Sequence, residues 1–227
     1  MDDKRPLLVI TARLGSTRLP GKVLRPIYKS CSILEFLIRR LKSNHDTSRL
    51  VLSTGNTPEN DKIEKVGLDC GIKVVRGPEE NVLERVRMCL DDEEGVEIIG
   101  RVTADNPLTD PHLILLQLKE MKKEGADYSY CLNCPTGVAV DLWTRECFGK
   151  MCKNASTPKH KEHINAWVWE NPNVNKILWF TAPSQYDCDD LSVTIDTKHD
   201  FNHVKRVIED SFNPVGLSIP QIINFYA

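Results

Sequence analysis

The sequence predicts an α/β fold, a mostly parallel sheet flanked by helices, and three observations carry that prediction. Short continuous apolar runs recur, as strands buried on both faces require. Segments of helical period, most of ten or more residues, separate them. The connections between the two are short, which favours parallel crossovers over hairpins.

The elements follow in order. Leu7–Thr11 (LLVIT) is the first strand. Ile33–Leu41 has helical spacing, with Ser32 as N-cap and Glu35 placed for a capping box. Strand Arg49–Ser53, helix Pro58–Asp69, strand Lys73–Val75, a helix from Glu80 to about Asp91 and strand Glu97–Thr103 continue the alternation. Pro111 stands at a helix N1 position behind an Asp110 N-cap, and that helix runs to about Lys123. The second half is mixed: strands at Asp127–Cys131 and Val138–Trp143, a helix over Lys159–Trp169, strands at Lys176–Thr181 and Ser192–Ile195, a helix over His199–Glu209, and a short apolar tail. No repeat or linker divides the 227 residues, so one domain is expected over 1–227, with an α/β first half, 1–125, and a mixed second half, 126–227.

Composition narrows the function. Lys and Arg number 30 against 32 for Asp and Glu, a net charge of −2. A polynucleotide partner calls for a basic excess, so nucleic-acid binding is not expected. No apolar run reaches membrane-spanning length, and the N-terminus lacks the pattern of a secretory signal, so a cytoplasmic protein without membrane contact is expected. The eight cysteines then read as thiols. Cys131, Cys134, Cys147 and Cys152 have a spacing that also admits a zinc site, although Cys147 and Cys152 would point to different sides of a helix.

The near-zero total hides a division. From Lys4 to Lys29 stand Lys4, Arg5, Arg13, Arg18, Lys22, Arg25 and Lys29 with no acid between them. Much of this charge lies in the loop after the first strand, Ala12-Arg13-Leu14-Gly15-Ser16-Thr17-Arg18-Leu19-Pro20-Gly21-Lys22. It is not a Walker P-loop: the glycine spacing is one too long, Val23 replaces the metal-binding hydroxyl, and Pro20 lacks an N–H. It still offers glycines for close approach, hydroxyls, two guanidinium forks and an ammonium, a set suited to a triphosphate. Ligands bind at the carboxyl ends of parallel strands, where this loop falls.

Asp105 lies just past the end of the apolar strand Glu97–Thr103, and Asp196 ends the short strand Ser192–Ile195. Carboxylates at strand ends suit Mg²⁺, which takes oxygen ligands. Asp187-Cys188-Asp189 is a D-x-D of the kind that glycosyltransferases use for a metal, but it does not follow an early core strand.

The run ARLGSTRLPGKVL resembles the N-terminal signature of nucleotide-sugar cytidylyltransferases, with the nearest likeness to the spore coat polysaccharide biosynthesis protein F family and its CMP-sialate and CMP-Kdo synthetase relatives. The likeness resumes at VVRGPEENVLERV, RVTADNPLTDP, KHKEHI and DLSVTIDTKHDF. It implies a single GT-A-like nucleotide-diphospho-sugar transferase domain, with a nucleotide-binding first half and an acceptor-binding second half. By the same likeness the partners are CTP and a small sugar-type acceptor, CMP is transferred with pyrophosphate release, and the chain forms a homodimer. Arg13, Lys22 and Asp105 become the expected catalytic residues. Ala12, Arg13, Gly15, Ser16, Arg18, Lys22, Arg76, Gly77 and Asn81 are expected to bind the nucleotide, Asp141, Glu162 and His163 the acceptor, and Asp105 with Asp196 the Mg²⁺. The family's G-x-D-V-E appears here as Gly137-Val138-Ala139-Val140-Asp141, so an acid has become Ala139 and a glutamate the shorter Asp141. Both departures fall on the acceptor side. A glycosyltransferase of the same fold and a non-catalytic nucleotide-binding domain are the alternatives.

Overall fold

The structure, a computed structural model, describes residues 5–15, 18–43 and 49–226. In chain order these form β1 (Leu7–Thr11), β2 (Pro26–Tyr28), β3 (Cys31–Ser32), α1 (Ile33–Lys42), β4 (Arg49–Gly55), α2 (Asp61–Asp69), β5 (Lys73–Gly77), α3 (Val82–Met88), β6 (Ile98–Thr103) and α4 (Pro111–Glu124). Then come β7 (Tyr128–Leu132), β8 (Asp141–Thr144), α5 (Arg145–Asn154), α6 (Pro158–Glu162), α7 (Ala166–Glu170), β9 (Ile177–Thr181), α8 (Lys198–Glu209) and α9 (Ile219–Tyr226).

Seven strands make one sheet in the order β5-β4-β1-β6-β8-β7-β9, in which β8 alone runs against its neighbours β6 and β7. All five residues of β1 are buried. Leu8 and Ile10 pack on one face with Leu34, Leu37, Ile38, Ile114 and Leu118 of α1 and α4. Leu7 and Val9 pack on the other with Val82 and Val86 of α3 and Phe148 and Met151 of α5. The period of two in β1 thus feeds two cores. A third apolar cluster joins β2, the start of α4, α8 and α9.

Registry positions the functional edge. Thr11 pairs level with Ser53 on one side and Thr103 on the other. One residue further on, the Ala12 amide donates to Ser53 O (3.0 Å) and the Ala104 amide to Thr11 O (3.1 Å). The loops after β1 and β6 therefore leave the sheet side by side.

Capping follows the sequence closely. Ser32 Oγ accepts from the Glu35 amide at 3.2 Å, although the Glu35 carboxylate turns to Arg39 instead of back to the cap. Asp110 Oδ1 caps α4 through the Leu113 amide at 2.9 Å. Three expectations are revised. The expected Lys159–Trp169 helix is two short helices, α6 and α7, broken where His163 adopts φ −101 and ψ 80. The strand expected at Val138–Trp143 begins only at Asp141, because Thr136 to Val140 is occupied by a turn and by packing on the Asp110 and Ser192 segments. Ser192–Ile195 is extended but joins no sheet; it makes one bridge, Thr136 to Ser192. No described helix is long and apolar enough to cross a membrane.

Candidate active site

A cleft of about 520 Å³ opens at the carboxyl ends of β1 and β6. Its floor is Thr11, Ala12, Thr103 and Ala104; its walls carry Arg13, Gly15, Arg18, Lys22, Asp105 and Asp196 together with Glu162 and His163. Residues remote in sequence thus meet around one cavity. Ser16 lies outside the described residues.

The centre of the cleft is Lys22. Its Nζ donates to Asp105 Oδ2 (2.7 Å), Asp196 Oδ1 (2.9 Å) and the Ile195 carbonyl (2.7 Å). Local chain chemistry puts it there. Gly21 at φ 65 takes a left-handed turn disfavoured for residues with a side chain, and Lys22 opens the 3-10 turn that follows. The Ile195 amide donates to Asp105 O at 2.9 Å, docking one carboxylate-bearing segment on the other. Asp200 Oδ2 then accepts from the Asp196 and Thr197 amides at 3.0 and 2.7 Å, and Thr197 caps α8 in a full capping box. Asp196 is thereby free of capping duty and faces the cleft, where Arg18 meets its second oxygen at 3.0 Å.

This pair fits a hard divalent cation. A single ammonium between two carboxylates acts as a stand-in for one, and the donors are all oxygen, as Mg²⁺ prefers. Among the described residues no group of three or more His, Cys, Asp or Glu is arranged to hold a metal. Two carboxylates leave room for the phosphate oxygens and waters that Mg²⁺ retains. Cys131 and Cys134 lie 3.6 Å apart at sulfur, but Cys147 belongs to the core on the α5 side of the sheet, so the four spaced cysteines do not converge.

Arg13 donates to Glu162 Oε1 at 2.9 Å and stands 3.5 Å from Glu80. The break after α6 presents Glu162 and His163 to the cleft. His160, one turn earlier, instead meets Glu170 at 2.7 Å, outside the cleft lining.

The structure does not bring every expected residue to the cleft. Arg76 points away from it: its guanidinium meets Glu64 (2.6 Å), Asp61 (2.7 Å) and Thr57 O (2.8 Å), and the carboxylates hold its pKa up. Gly77 packs under Arg85 and Met88 of α3. Asn81 caps α3, accepting from the Glu84 amide at 3.0 Å. Asp187 and Asp189 are likewise absent from the lining. Asp141 sits in an adjoining smaller cavity, not in the cleft itself.

Three polar residues escaped the sequence reading. Arg85 is 1% exposed on the cleft wall, donating to the Pro78 carbonyl at 2.7 Å and also to Glu79 O; burial lowers its pKa. Asn60, equally buried, pins the basic loop after β1 by accepting from the Leu14 amide at 3.1 Å and donating to Glu79 at 2.8 Å. Gly55 admits this contact: a Cβ there would lie 1.5 Å from Glu79 Oε2. The third is Arg101, shared by the cleft and the smaller cavity. Its signal was an arginine inside an otherwise apolar strand, EIIGRVT.

A strand-end cleft with paired carboxylates and a basic loop is one that several phosphoryl-transfer chemistries could use, and comparison with known proteins decides among families. The family model for cytidylyltransferases matches residues 7–211. The chain belongs to the cytidylyltransferase family. It is accordingly a nucleotidyltransferase. It is 31% identical over 222 residues to the spore coat polysaccharide biosynthesis protein SpsF of Bacillus subtilis, a match covering 96% of this chain and 92% of the relative. Among solved structures it superposes on a cytidylyltransferase from Leptospira borgpetersenii with a TM-score of 0.87 at 27% identity, over 98% of this chain and 93% of the other. A CMP-2-keto-3-deoxy-manno-octonic acid synthetase complexed with CTP shares the fold at TM-score 0.67 and 16% identity, over 89% and 98% of the two chains.

Proposed function

We propose that the protein transfers CMP from CTP to a sugar, sugar acid or sugar phosphate in a metal-dependent reaction that releases pyrophosphate, serving surface polysaccharide or glycan assembly. The observation that carries the proposal is the Lys22 ammonium held between Asp105 and Asp196 at 2.7 and 2.9 Å, with Arg13 and Arg18 beside it. Such a cluster has charge of both signs where a triphosphate and its cation need it. SpsF is named for polysaccharide biosynthesis, which supports the sugar acceptor.

In this reading an acceptor oxygen attacks the α-phosphorus of CTP, the α–β bridging bond breaks, and pyrophosphate leaves with the electron pair. Positioning and charge neutralisation are the protein's main contribution. Arg13, Arg18 and Lys22 hold the β- and γ-phosphates and stabilise the charge that builds on them. Ala12 and Gly15 offer close backbone approach at the end of β1. The buried Arg85 wall makes a more suitable neighbour for the base and ribose than Arg76, whose guanidinium is already committed. Glu162 and His163 face the acceptor. Asp105 and Asp196 would hold Mg²⁺, which supplies Lewis acidity to the phosphates when bound. Residues 1–125 then provide most of the nucleotide contacts and 126–227 most of the acceptor contacts, with Asp196 as the crossover.

A melting screen with each of the four nucleoside triphosphates plus Mg²⁺ tests the nucleotide. A ligand at about a hundred times its dissociation constant adds roughly 2.7 kcal/mol to stability. Stabilisation selective for CTP supports the reading, and equal shifts from all four refute cytosine recognition. Pyrophosphate release across a sugar panel tests the reaction itself.

A further inference from the structure

All eight cysteines are free thiols, and the reaction proposed above uses none of them. Cys131 and Cys134 stand out because their sulfurs touch, at 3.6 Å. Local structure makes the contact. Cys131 belongs to β7, and Asn133 turns the chain back through a left-handed φ of 58, which asparagine tolerates better than most residues. Cys131 is buried in an apolar cluster, whereas Cys134 is half-buried at its margin. The contact with Cys131 lowers the Cys134 pKa, against burial and the charge of Asp189. The more accessible sulfur is thus also the more readily ionised, and a second thiol stands directly behind it.

The pair stands where a small movement has consequences. Cys131, Cys134, Pro135, Thr136 and Gly137 line a cavity of about 150 Å³ that shares Arg101 and Thr103 with the nucleotide cleft. Two residues past Cys134, Thr136 is stitched to the segment that carries Asp196. Its amide donates to Leu191 O at 2.8 Å, and its carbonyl accepts from the Val193 amide at 2.8 Å. Gly137, at φ 99, packs so closely that a Cβ there would lie 2.8 Å from Thr194 Oγ1 and 3.1 Å from Asn106 Oδ1. A close-packed turn of this kind cannot shift alone. It carries the 191–196 segment with it, and so disturbs the Ile195 contact that docks Asp196 beside Asp105.

We infer that Cys131 and Cys134 form a thiol–disulfide exchange site for small disulfides of the glutathione class, and that closing the bond lowers turnover. The Cys134 thiolate attacks one sulfur of the small disulfide, whose S–S bond breaks and releases one thiolate. Cys131 then gives up its proton to solvent and attacks Cys134 Sγ, and the second small thiolate leaves with the electron pair. Both thiolates are protonated. The protein loses two electrons and two protons, and the disulfide becomes two thiols. The effect on turnover rests on the cytidylyltransferase reading; the exchange chemistry does not.

The test equilibrates the full chain in mixtures of glutathione and glutathione disulfide, without nucleotide. Exchange is quenched, the chain is denatured and alkylated, and the sites are mapped by mass spectrometry. Cys131 and Cys134 should lose alkylation together, the chain becoming two hydrogens lighter, while the other six cysteines stay alkylated. Cys131→Ser should stop at a glutathione adduct on Cys134, and Cys134→Ser should leave Cys131 free; two variants ensure that a folding defect in one cannot decide the matter. A lasting adduct on wild-type Cys134, or oxidation of another cysteine ahead of this pair, overturns the exchange site. CTP-dependent pyrophosphate release should fall about ten- to a hundredfold on oxidation, as a displacement of about 1 Å can cause, and return with dithiothreitol. In Cys134→Ser it should not respond to closure of the redox buffer toward the disulfide. A wild-type disulfide that forms with turnover unchanged overturns the control of turnover. Absence of CTP selectivity or of turnover in the reduced protein overturns the underlying function instead, and the mapped thiols still decide the exchange site.

Discussion

Lys22→Met is the most informative perturbation of the centre, because two opposite effects are expected from one substitution. Lys22 is 8% exposed, and its ammonium makes two charge-assisted contacts and one to a carbonyl. Hydrogen bonds to charged groups contribute about 1.5–3 kcal/mol each. A divalent cation bound by Asp105 and Asp196 must displace the ammonium from both, and water or phosphate returns only part of that loss. A net competition of about 2–4 kcal/mol follows, or roughly 30- to 1,000-fold in metal affinity at about 1.4 kcal/mol per decade. Without Lys22 the two carboxylates keep Arg18, on Asp196, as their ion-pair partner among the described residues. Mn²⁺ titration by electron paramagnetic resonance, with no nucleotide present, should therefore show tighter binding in Lys22→Met by at least about tenfold. Turnover should fall by about two orders of magnitude, since the charge on the departing phosphates loses one counter-ion. Equal or weaker Mn²⁺ binding in the variant would refute the argument, because it would mean that the ammonium and the metal do not compete for one seat.

Other consequences can be checked alongside. Asp105→Asn should abolish CTP-dependent pyrophosphate release while the CTP melting shift persists in part, separating a metal ligand from a fold determinant. Arg40, 1% exposed, donates to Thr109, Val215 and Leu217 carbonyls and stands 3.4 Å from Asp110, so Arg40→Met should cost about 3–5 kcal/mol in urea unfolding by stranding that buried acid. Gly55→Ala drives a methyl into Glu79 and should cost about 1–3 kcal/mol and weaken CTP binding by loosening the Asn60–Leu14 contact. Burial raises the Asp141 pKa despite Tyr128 and Arg101; an acid with a raised folded pKa contributes stability below its unfolded pKa that is lost as pH climbs through the folded one. Thermal melts should therefore decline above the ordinary carboxylate range, and Asp141→Asn should flatten that decline.

What could be read in the sequence was what local chemistry decides. The period of β1, the Ser32 and Asp110 caps and the strand-end position of Asp105 all depend on neighbours a few residues away. The resemblance brought Asp196 to the same site, a pairing that no local pattern contains. The failures share a cause. Arg76 has a side chain suited to a nucleotide, but Asp61 and Glu64, brought over it by α2, settle its direction. Arg85 and Asn60 look like ordinary polar helix residues until the fold buries them against Glu79. The α6–α7 break depends on His163 leaving helical geometry, and the residues on either side give no breaker.

The basic N-terminal stretch takes on a different meaning in three dimensions. Three of its cations, Arg13, Arg18 and Lys22, reach the cleft, and each is met there by a carboxylate from a segment remote in sequence. In the proposed reading, binding a metal-bound triphosphate would be an exchange of partners: phosphates would replace Glu162 and Asp196 on the cations, and the metal would replace Lys22 on Asp105 and Asp196. Such an exchange keeps each charge compensated before and after, and it makes nucleotide and metal binding mutually dependent. The cleft lining has five arginines and lysines against three carboxylates, an excess that suits a metal-bound triphosphate, which is still negative. Salt should then weaken CTP and Mn²⁺ binding together less than it weakens binding of free triphosphate, because the joint exchange alters the local charge least.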